Sequence, residues 1–253
     1  MTTLPDRPAD ARKLGLVIDL DVCVGCHACV VNCKEWNTGS DYGAALSDQD
    51  PYGPDVSGAW LNRVHSFEVI PEGGEIVGEA GEARIVHFPK SCLHCDDAPC
   101  VTVCPTGASY KRAEDGIVLV DEQKCIGCGL CAWACPYGAR EMDLAAGVMK
   151  KCTLCIDRIY NETFEEADRV PACVRTCPAN ARHFGDLNDP ASAVAVMVAE
   201  RGGIDLMPEQ GTRPVNKYLP PRPRKPLAAA AAEPDTGGAT GFFAWLDGVL
   251  DRF

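Results

Sequence analysis

Short apolar runs separated by turns, with few long periodic stretches, set the pattern of this chain. Apolar runs at 17–20 and 117–120 each lead into a cysteine loop, which predicts a strand, a tight loop and a short helix beginning inside the loop. Further short strands are expected at 148–150 and 182–185, and the alternating stretches 63–70 and 83–88 suggest a hairpin packed outside the main core. Asp189-Pro190 is expected to cap a helix over 191–201 that stops at Gly202-Gly203. Residues 40–58 carry Asp-Pro, Tyr-Gly and Ser-Gly turn signals and read as loop. The basic, proline-rich stretch 213–226 should be extended and lie on a surface. An alanine- and glycine-rich linker, 227–241, leads to FFAWLDGVLDRF at 242–253, whose apolar residues recur at helical spacing. That last element suits a partner or a membrane surface, or is a frayed tail. The mixture predicts an α+β chain.

The sixteen cysteines change this picture, because they fall into four compact groups. Group one is Cys23, Cys26, Cys29 and Cys33; group two is Cys92, Cys95, Cys100 and Cys104. Group three is Cys125, Cys128, Cys131 and Cys135; group four is Cys152, Cys155, Cys173 and Cys177. Groups one and three form an internal repeat: a shift of 102 residues lays each cysteine on a cysteine, Gly25 on Gly127 and Asp19 on Asp121. Groups two, three and four end in Cys-Pro, at Pro105, Pro136 and Pro178, whereas Lys34 follows group one. Between groups one and two lie the 58 residues 34–91.

Disulfide frameworks belong to small secreted chains, and cysteines this crowded would pair only with strain. Soft thiolates in tight loops point instead to iron–sulfur clusters or zinc. In C-x2-C-x2-C-x3-C the first three sulfurs converge on one cubane and the fourth reaches a neighbouring one, the pattern of a two-cluster ferredoxin. Group four alone would suit a zinc ribbon; beside three ferredoxin-type groups it reads as a fourth cluster. Gly25, Gly127 and Gly129 should let the backbone approach the inorganic sulfides. His27 and His94 are expected to be outer donors or exposed, since each loop already supplies its thiolates. Trp36 and Trp133 are expected to pack over clusters and exclude water. Lys150, Lys151 and Arg140 either raise cluster potentials or sit on a solvated surface.

The formal charge of −12 falls further when clusters are bound, which disfavours nucleic acid as a partner. No run of about 18 apolar residues predicts a bilayer span. Residues 1–13 are polar and proline-broken, without a secretory signal or twin arginine, which predicts that the chain is not exported on a signal of its own. No catalytic residue is expected: there is no nucleotide loop, no nucleophile–base arrangement and no open iron site. The chemistry is electron relay.

At these motifs the chain resembles the four-cluster iron–sulfur subunits of the dimethyl sulfoxide reductase superfamily of molybdenum enzymes. Within that family it looks most like the subunit of membrane-bound sulfite dehydrogenase (quinone) complexes. The phrases CKEWN, DPYG, KSCLHCDDAPC, CPTGASYKR, EDGIVLVD, KKCTLCIDR and KYLPPR carry the resemblance. It implies four [4Fe–4S] clusters in two interleaved pairs. Cys23, Cys26 and Cys29 would bind one cubane with Cys177, and Cys152, Cys155 and Cys173 its neighbour with Cys33. Cys92, Cys95 and Cys100 would bind a third with Cys135, and Cys125, Cys128 and Cys131 the fourth with Cys104.

The implied architecture has two bacterial-type two-cluster ferredoxin-like modules with a hairpin insertion and an extended C-terminal tail. Module one would comprise 14–36 and 147–188, the insertion 37–85, module two 86–146, a helix and proline-rich extension 189–226, and a linker with amphipathic helix 227–253. The implied partners are a molybdopterin-containing catalytic subunit, next to module one, and a multi-span membrane anchor, next to module two. The implied place is peripheral, on the cytoplasmic face of the inner membrane, or periplasmic if a signal-bearing partner carries the chain. Alternative readings are an iron–sulfur subunit of a dimethyl sulfoxide, thiosulfate, polysulfide or tetrathionate reductase, or a free-standing polyferredoxin.

Overall fold

The computed structural model describes residues 2–38, 59–69 and 84–222. The loop expected at 40–58, the linker at 227–241 and the aromatic segment at 242–253 lie outside the described residues.

In chain order the elements are β1 (Leu14–Asp19), α1 (Ala28–Thr38), β2 (Asn62–Val69), β3 (Arg84–Ser91), α2 (Pro99–Thr102), β4 (Ser109–Lys111), β5 (Val118–Val120) and α3 (Leu130–Trp133). There follow β6 (Glu141–Asp143), β7 (Val148–Lys150), α4 (Ile156–Ile159), α5 (Ala172–Arg175), β8 (Arg182–Asp186), α6 (Ala193–Arg201) and β9 (Lys217–Leu219). β1 is buried from end to end because it is a central strand, antiparallel to β8 and parallel to β9. Covered on both sides, it reads as a continuous apolar run rather than an alternating one. β2 and β3 pair antiparallel from Asn62↔Ser91 to Val69↔Arg84. Two smaller antiparallel pairs, β4–β5 and β6–β7, flank group three.

The internal repeat extends to individual hydrogen bonds. Asp19 N–H donates to the Ala181 carbonyl and Asp121 N–H to the Ala108 carbonyl, both at 2.8 Å. Asp19 Oδ1 accepts from Asp21 N–H and Asp121 Oδ1 from Gln123 N–H, each at 3.0 Å. Ala181 and Ala108 stand four residues after Cys177 and Cys104. The strand entering group one is therefore bonded to the turn leaving group four, and the strand entering group three to the turn leaving group two. This backbone pairing brings distant cysteine groups together.

Two expectations change. The α6 cap is Ser192, whose hydroxyl accepts from Ala195 N–H; Asp189 instead closes a turn one step earlier by accepting from Ala191 N–H. Ser192 is free to leave the helical region, whereas Pro190 holds Asp189 outside the helix. The C-cap at Gly202 is left-handed as its sequence implies. The second change concerns the proline-rich stretch, whose described part, 213–222, runs through the middle of the molecule instead of over a surface. Thr212, Val215, Asn216, Tyr218 and Leu219 are buried. Tyr218 stacks on Phe88 at 4.4 Å and donates its hydroxyl to the Pro89 carbonyl. Its own sequence lacks the periodicity of a core strand, but an edge of β1 was open to receive it.

Asn216 is the stitch of this segment. Its Oδ1 accepts from Leu16 N–H at 2.8 Å, and its Nδ2 donates to the Cys92 carbonyl at 3.0 Å. It thereby ties the central strand to the mouth of group two. Asn216→Ala leaves both buried backbone groups unsatisfied, at roughly 1–3 kcal/mol each. A loss of about 2–6 kcal/mol is expected, read as a lower unfolding midpoint of the cluster-loaded chain.

Candidate functional site

All sixteen cysteines are free thiols. Cys23, Cys26, Cys29 and Cys177 line one small cavity. Cys92, Cys95, Cys100 and Cys135 line a second, and Cys104, Cys125, Cys128 and Cys131 a third. The remaining four lie together in the core, with Cys33 within electrostatic reach of Cys152, Cys155 and Cys173. Each set draws three sulfurs from one group and one from another. Three small cavities, each lined by four cysteines, fit one kind of guest. Among the described residues no three Cys, His, Asp or Glu converge closely enough to hold a single metal ion. That spread is wrong for tetrahedral zinc, and it suits a cubane that offers a separate iron to each sulfur.

Backbone conformation builds each cavity. The residue before the second cysteine is left-handed in every group: Gly25 at φ 68°, His94 at 50°, Gly127 at 65° and Leu154 at 53°. In two of them the turned N–H meets the first sulfur of the group, Gly25 on Cys23 and Leu154 on Cys152 at 3.5 Å, an arrangement that favours anions. A Cβ at Gly127 would lie 2.5 Å from the Gly147 carbonyl, so that position excludes side chains for space as well as conformation. After groups two, three and four, the third residue beyond the last cysteine is again left-handed, at Gly107, Gly138 and Asn180. Group one lacks this turn because α1 continues through it. Lys34 takes the place of proline, is buried, and holds the Ala59 carbonyl at 3.2 Å and the Trp60 ring at 5.1 Å.

Backbone N–H groups already point at sulfur. Ser109 donates to Cys104, Met149 to Cys125, Ala172 to Cys155 and Ala181 to Cys177, at 3.2–3.4 Å. Asn37 Nδ2 reaches both Cys33 and Cys155 sulfurs at 3.6 Å, bridging one set across two groups. Burial pushes the Cys95 thiol up to about 12 and those of Cys152, Cys155 and Cys173 to about 11. Binding iron as thiolates therefore releases protons from these buried sulfurs.

Among the expected outer residues, His94 is buried, while His27 is exposed. Val118 N–H donates to His94 Nδ1, which places the imidazole proton on Nε2, an atom without a partner in the protein. Burial, then Lys151, Lys111 and Arg140, hold His94 well below the usual histidine range, so it is neutral. Lys151 and Arg140 are buried; Lys150 pairs with Glu122 at 2.9 Å. The expectation for the tryptophans is corrected. Trp133 is 90% exposed, and Trp36 lies on the surface with its indole N–H on Asp157 and Arg158 over its ring. On a helix starting beside exposed Cys128, the side chain two residues after Cys131 points away from the cavity. Sequence reasoning missed Asn37 and Arg182. The recurring spacing C-P-x-x-A-R in groups three and four is the signal that would have found Arg182.

The fold and sulfur sets define a double ferredoxin-like electron carrier. The 4Fe-4S dicluster domain family matches twice, over residues 22–108 and 83–187, which gives four [4Fe–4S] clusters. The B subunit of sulfite dehydrogenase from Allochromatium vinosum is 60% identical over 210 residues, covering 83% of this chain and 84% of that protein. The B subunit of tetrathionate reductase from Salmonella typhimurium is 38% identical, covering 82% and 72%. The B subunit of polysulfide reductase from Wolinella succinogenes is 33% identical, covering 81% and 92%. This protein belongs to the four-cluster iron–sulfur subunits of the dimethyl sulfoxide reductase superfamily of molybdenum enzymes. It is an electron-transfer subunit and is not catalytic alone. No helix among the described residues is long and apolar enough to cross a membrane.

Cys131→Ser exchanges one thiolate in the third cavity for a weaker, harder ligand. The chain should stay folded while one cluster of four is lost or converted. Low-temperature electron paramagnetic resonance with iron analysis would show this, and an unchanged spectrum would remove Cys131 from its set.

Proposed function

We propose that this chain carries electrons from a sulfite-oxidising molybdopterin subunit to a quinone-reactive membrane anchor. The sixteen cysteines act as iron ligands in the four sets that line the cavities and the core. When bound, each cluster accepts one electron from a neighbour and passes it on with no bond made or broken. The chain supplies position, burial and hydrogen bonds. In this reading 14–36 with 147–188 form module one, 86–146 form module two, and 37–85 are an insertion that includes β2. The extension 189–226 ties the modules together, and 227–253 is left for a partner or surface.

The observation that carries this reading is the matched pair of exposed loops. Cys26 and Cys128, repeat equivalents, are the two exposed cysteines, and every other one is buried or half-buried. Beside them, equivalent apolar residues face outward: Val24 at 60% and Ile126 at 66%, Val31 at 50% and Trp133 at 90%. An electron carrier needs an entrance and an exit where its clusters approach the surface, and apolar rims suit docking to fixed partners. Module one would face the molybdopterin subunit and module two the anchor, on the cytoplasmic side of the membrane. The 60% identical relative supports sulfite as the electron source.

The test is to purify the intact assembly and measure quinone reduction with sulfite, with dimethyl sulfoxide and thiosulfate reactions alongside. Sulfite-dependent reduction with a molybdopterin subunit and a multi-span subunit in the preparation is expected. Copurification of the same partners with activity on another sulfur compound would replace sulfite, and a chain that purifies alone as a soluble carrier would remove the complex.

A further inference from the structure

Two arginines are buried where the protein offers no charge to balance them. Arg182 is 1% exposed and Arg140 7%. Each stands five residues after the last cysteine of its group, in Cys177-Pro-Ala-Asn-Ala-Arg182 and Cys135-Pro-Tyr-Gly-Ala-Arg140. The left-handed residue two places earlier, Asn180 or Gly138, closes the turn that brings the arginine back toward the sulfurs. Each guanidinium spends one amine on a neutral oxygen: Arg182 Nη2 donates to Asn62 Oδ1, and Arg140 Nη2 to Ser109 Oγ, both at 2.8 Å. Arg182 Nε and Nη1 and Arg140 Nη1 meet no acceptor in the protein, and the only other side-chain acceptors the two guanidiniums reach are sulfurs, Cys173 for Arg182 and Cys100 and Cys131 for Arg140. No carboxylate among the described residues forms an ion pair with either arginine. A buried guanidinium left in that state is strongly unfavourable.

What surrounds them is sulfur from both sets of a module. Arg182 lies within electrostatic reach of Cys173 and Cys33 of one set and Cys29 of the other. Arg140 is placed likewise by Cys100 and Cys92 of one set and Cys131 of the other. The orphaned donors thus sit between two sites that each receive net negative charge. We propose that Arg140 and Arg182 are the potential-setting residues of the two modules, each shared by both clusters of its pair. A fixed cation with free N–H groups favours the more negative, reduced state of either neighbour, and so raises both potentials. These arginines touch no substrate and act through the clusters. The inference rests on the proposed ligand sets.

The test uses the full chain, loaded with clusters under anaerobic conditions, with potentials from redox titration followed by electron paramagnetic resonance. About sixteen irons per chain and four cubane signals in the parent establish the ligand reading separately from the arginine roles. In Arg182→Met, two of the four potentials should fall by about tenfold in the one-electron equilibrium, or ~59 mV, with the other two unmoved. Arg140→Met should lower the complementary two. Arg182→Lys and Arg140→Lys, which keep the charge, should recover most of each shift. Unchanged potentials in a fully loaded methionine chain overturn the proposal, as does an equal shift of all four. Should a methionine chain fail to load, the lysine chain decides: full loading with near-parental potentials supports the role of charge, and failure to load shows that shape alone is required and overturns it.

Discussion

Everything in this molecule follows from the need to bring four sulfurs from two distant stretches of chain to each of four points inside one core. Joining remote segments costs loop-closure entropy that grows only slowly with separation, so drawing Cys177 to group one is little harder than drawing a nearer residue. What the chain cannot do is hold those points open by secondary structure alone. β4 to β7 are three residues each, and α2 to α5 four. Elements that short have no independent stability. The backbone bonds from Asp19 to Ala181 and from Asp121 to Ala108 set the pairing of groups, and the bound clusters complete the core.

The same constraint concentrates negative charge where water is scarce, and the chain answers it in three ways. Backbone N–H groups turned inward by left-handed residues supply partial positive charge with no desolvation of a side chain. Asn37 adds a neutral donor shared between two cysteine groups. Lys111, Lys151, Arg140 and Arg182 supply full charges from within the core. Lys111 is satisfied by the carbonyls of His94, Cys95 and Gly116, and pairs with Asp96. The two arginines are not satisfied in this way, which marks them as belonging to the clusters rather than to the protein scaffold. A net charge of −12 for the whole chain conceals this, because among the described residues Lys34, Lys111, Arg140, Lys151 and Arg182 are buried against only the carboxylates of Asp19 and Asp115.

The cysteine spacing and the repeat were legible because iron–sulfur ligation constrains local sequence tightly. Gly25 and Gly127 announce left-handed positions by being glycine. His94 and Leu154 adopt the same conformation without announcing it, since the loop around them over-determines the backbone. The helix expected over 191–201 was legible from its stop at Gly202-Gly203, but its start at Ala193 was not, because Asp189 and Ser192 are both competent acceptors and Pro190 decides between them. The path of residues 212–219 was hidden for a different reason. Its burial depends on an open edge of β1 and on the carbonyls around group two, features that no local pattern records. Trp133 was misread for want of direction: adjacency to a ligand in sequence says nothing about which way a helical side chain points.

The duplication also explains how one frame serves electron flow in either direction, as relatives named for a dehydrogenase and for reductases require. The entry strand, the Asx turn and the left-handed loop recur on both sides, whereas the buried arginines stand at different places in the repeat, Arg182 opposite Ser109 and Arg140 opposite Thr38. Asymmetry enters at the rims, where Val31 stands opposite Trp133, and beneath them, where buried Lys34 stands opposite Pro136. Those few residues distinguish one end from the other for a docking partner, while leaving the interior free to conduct both ways. Direction is then a matter of the potentials at the two termini and of what each partner supplies. The fold fixes the path and leaves the driving force to its neighbours.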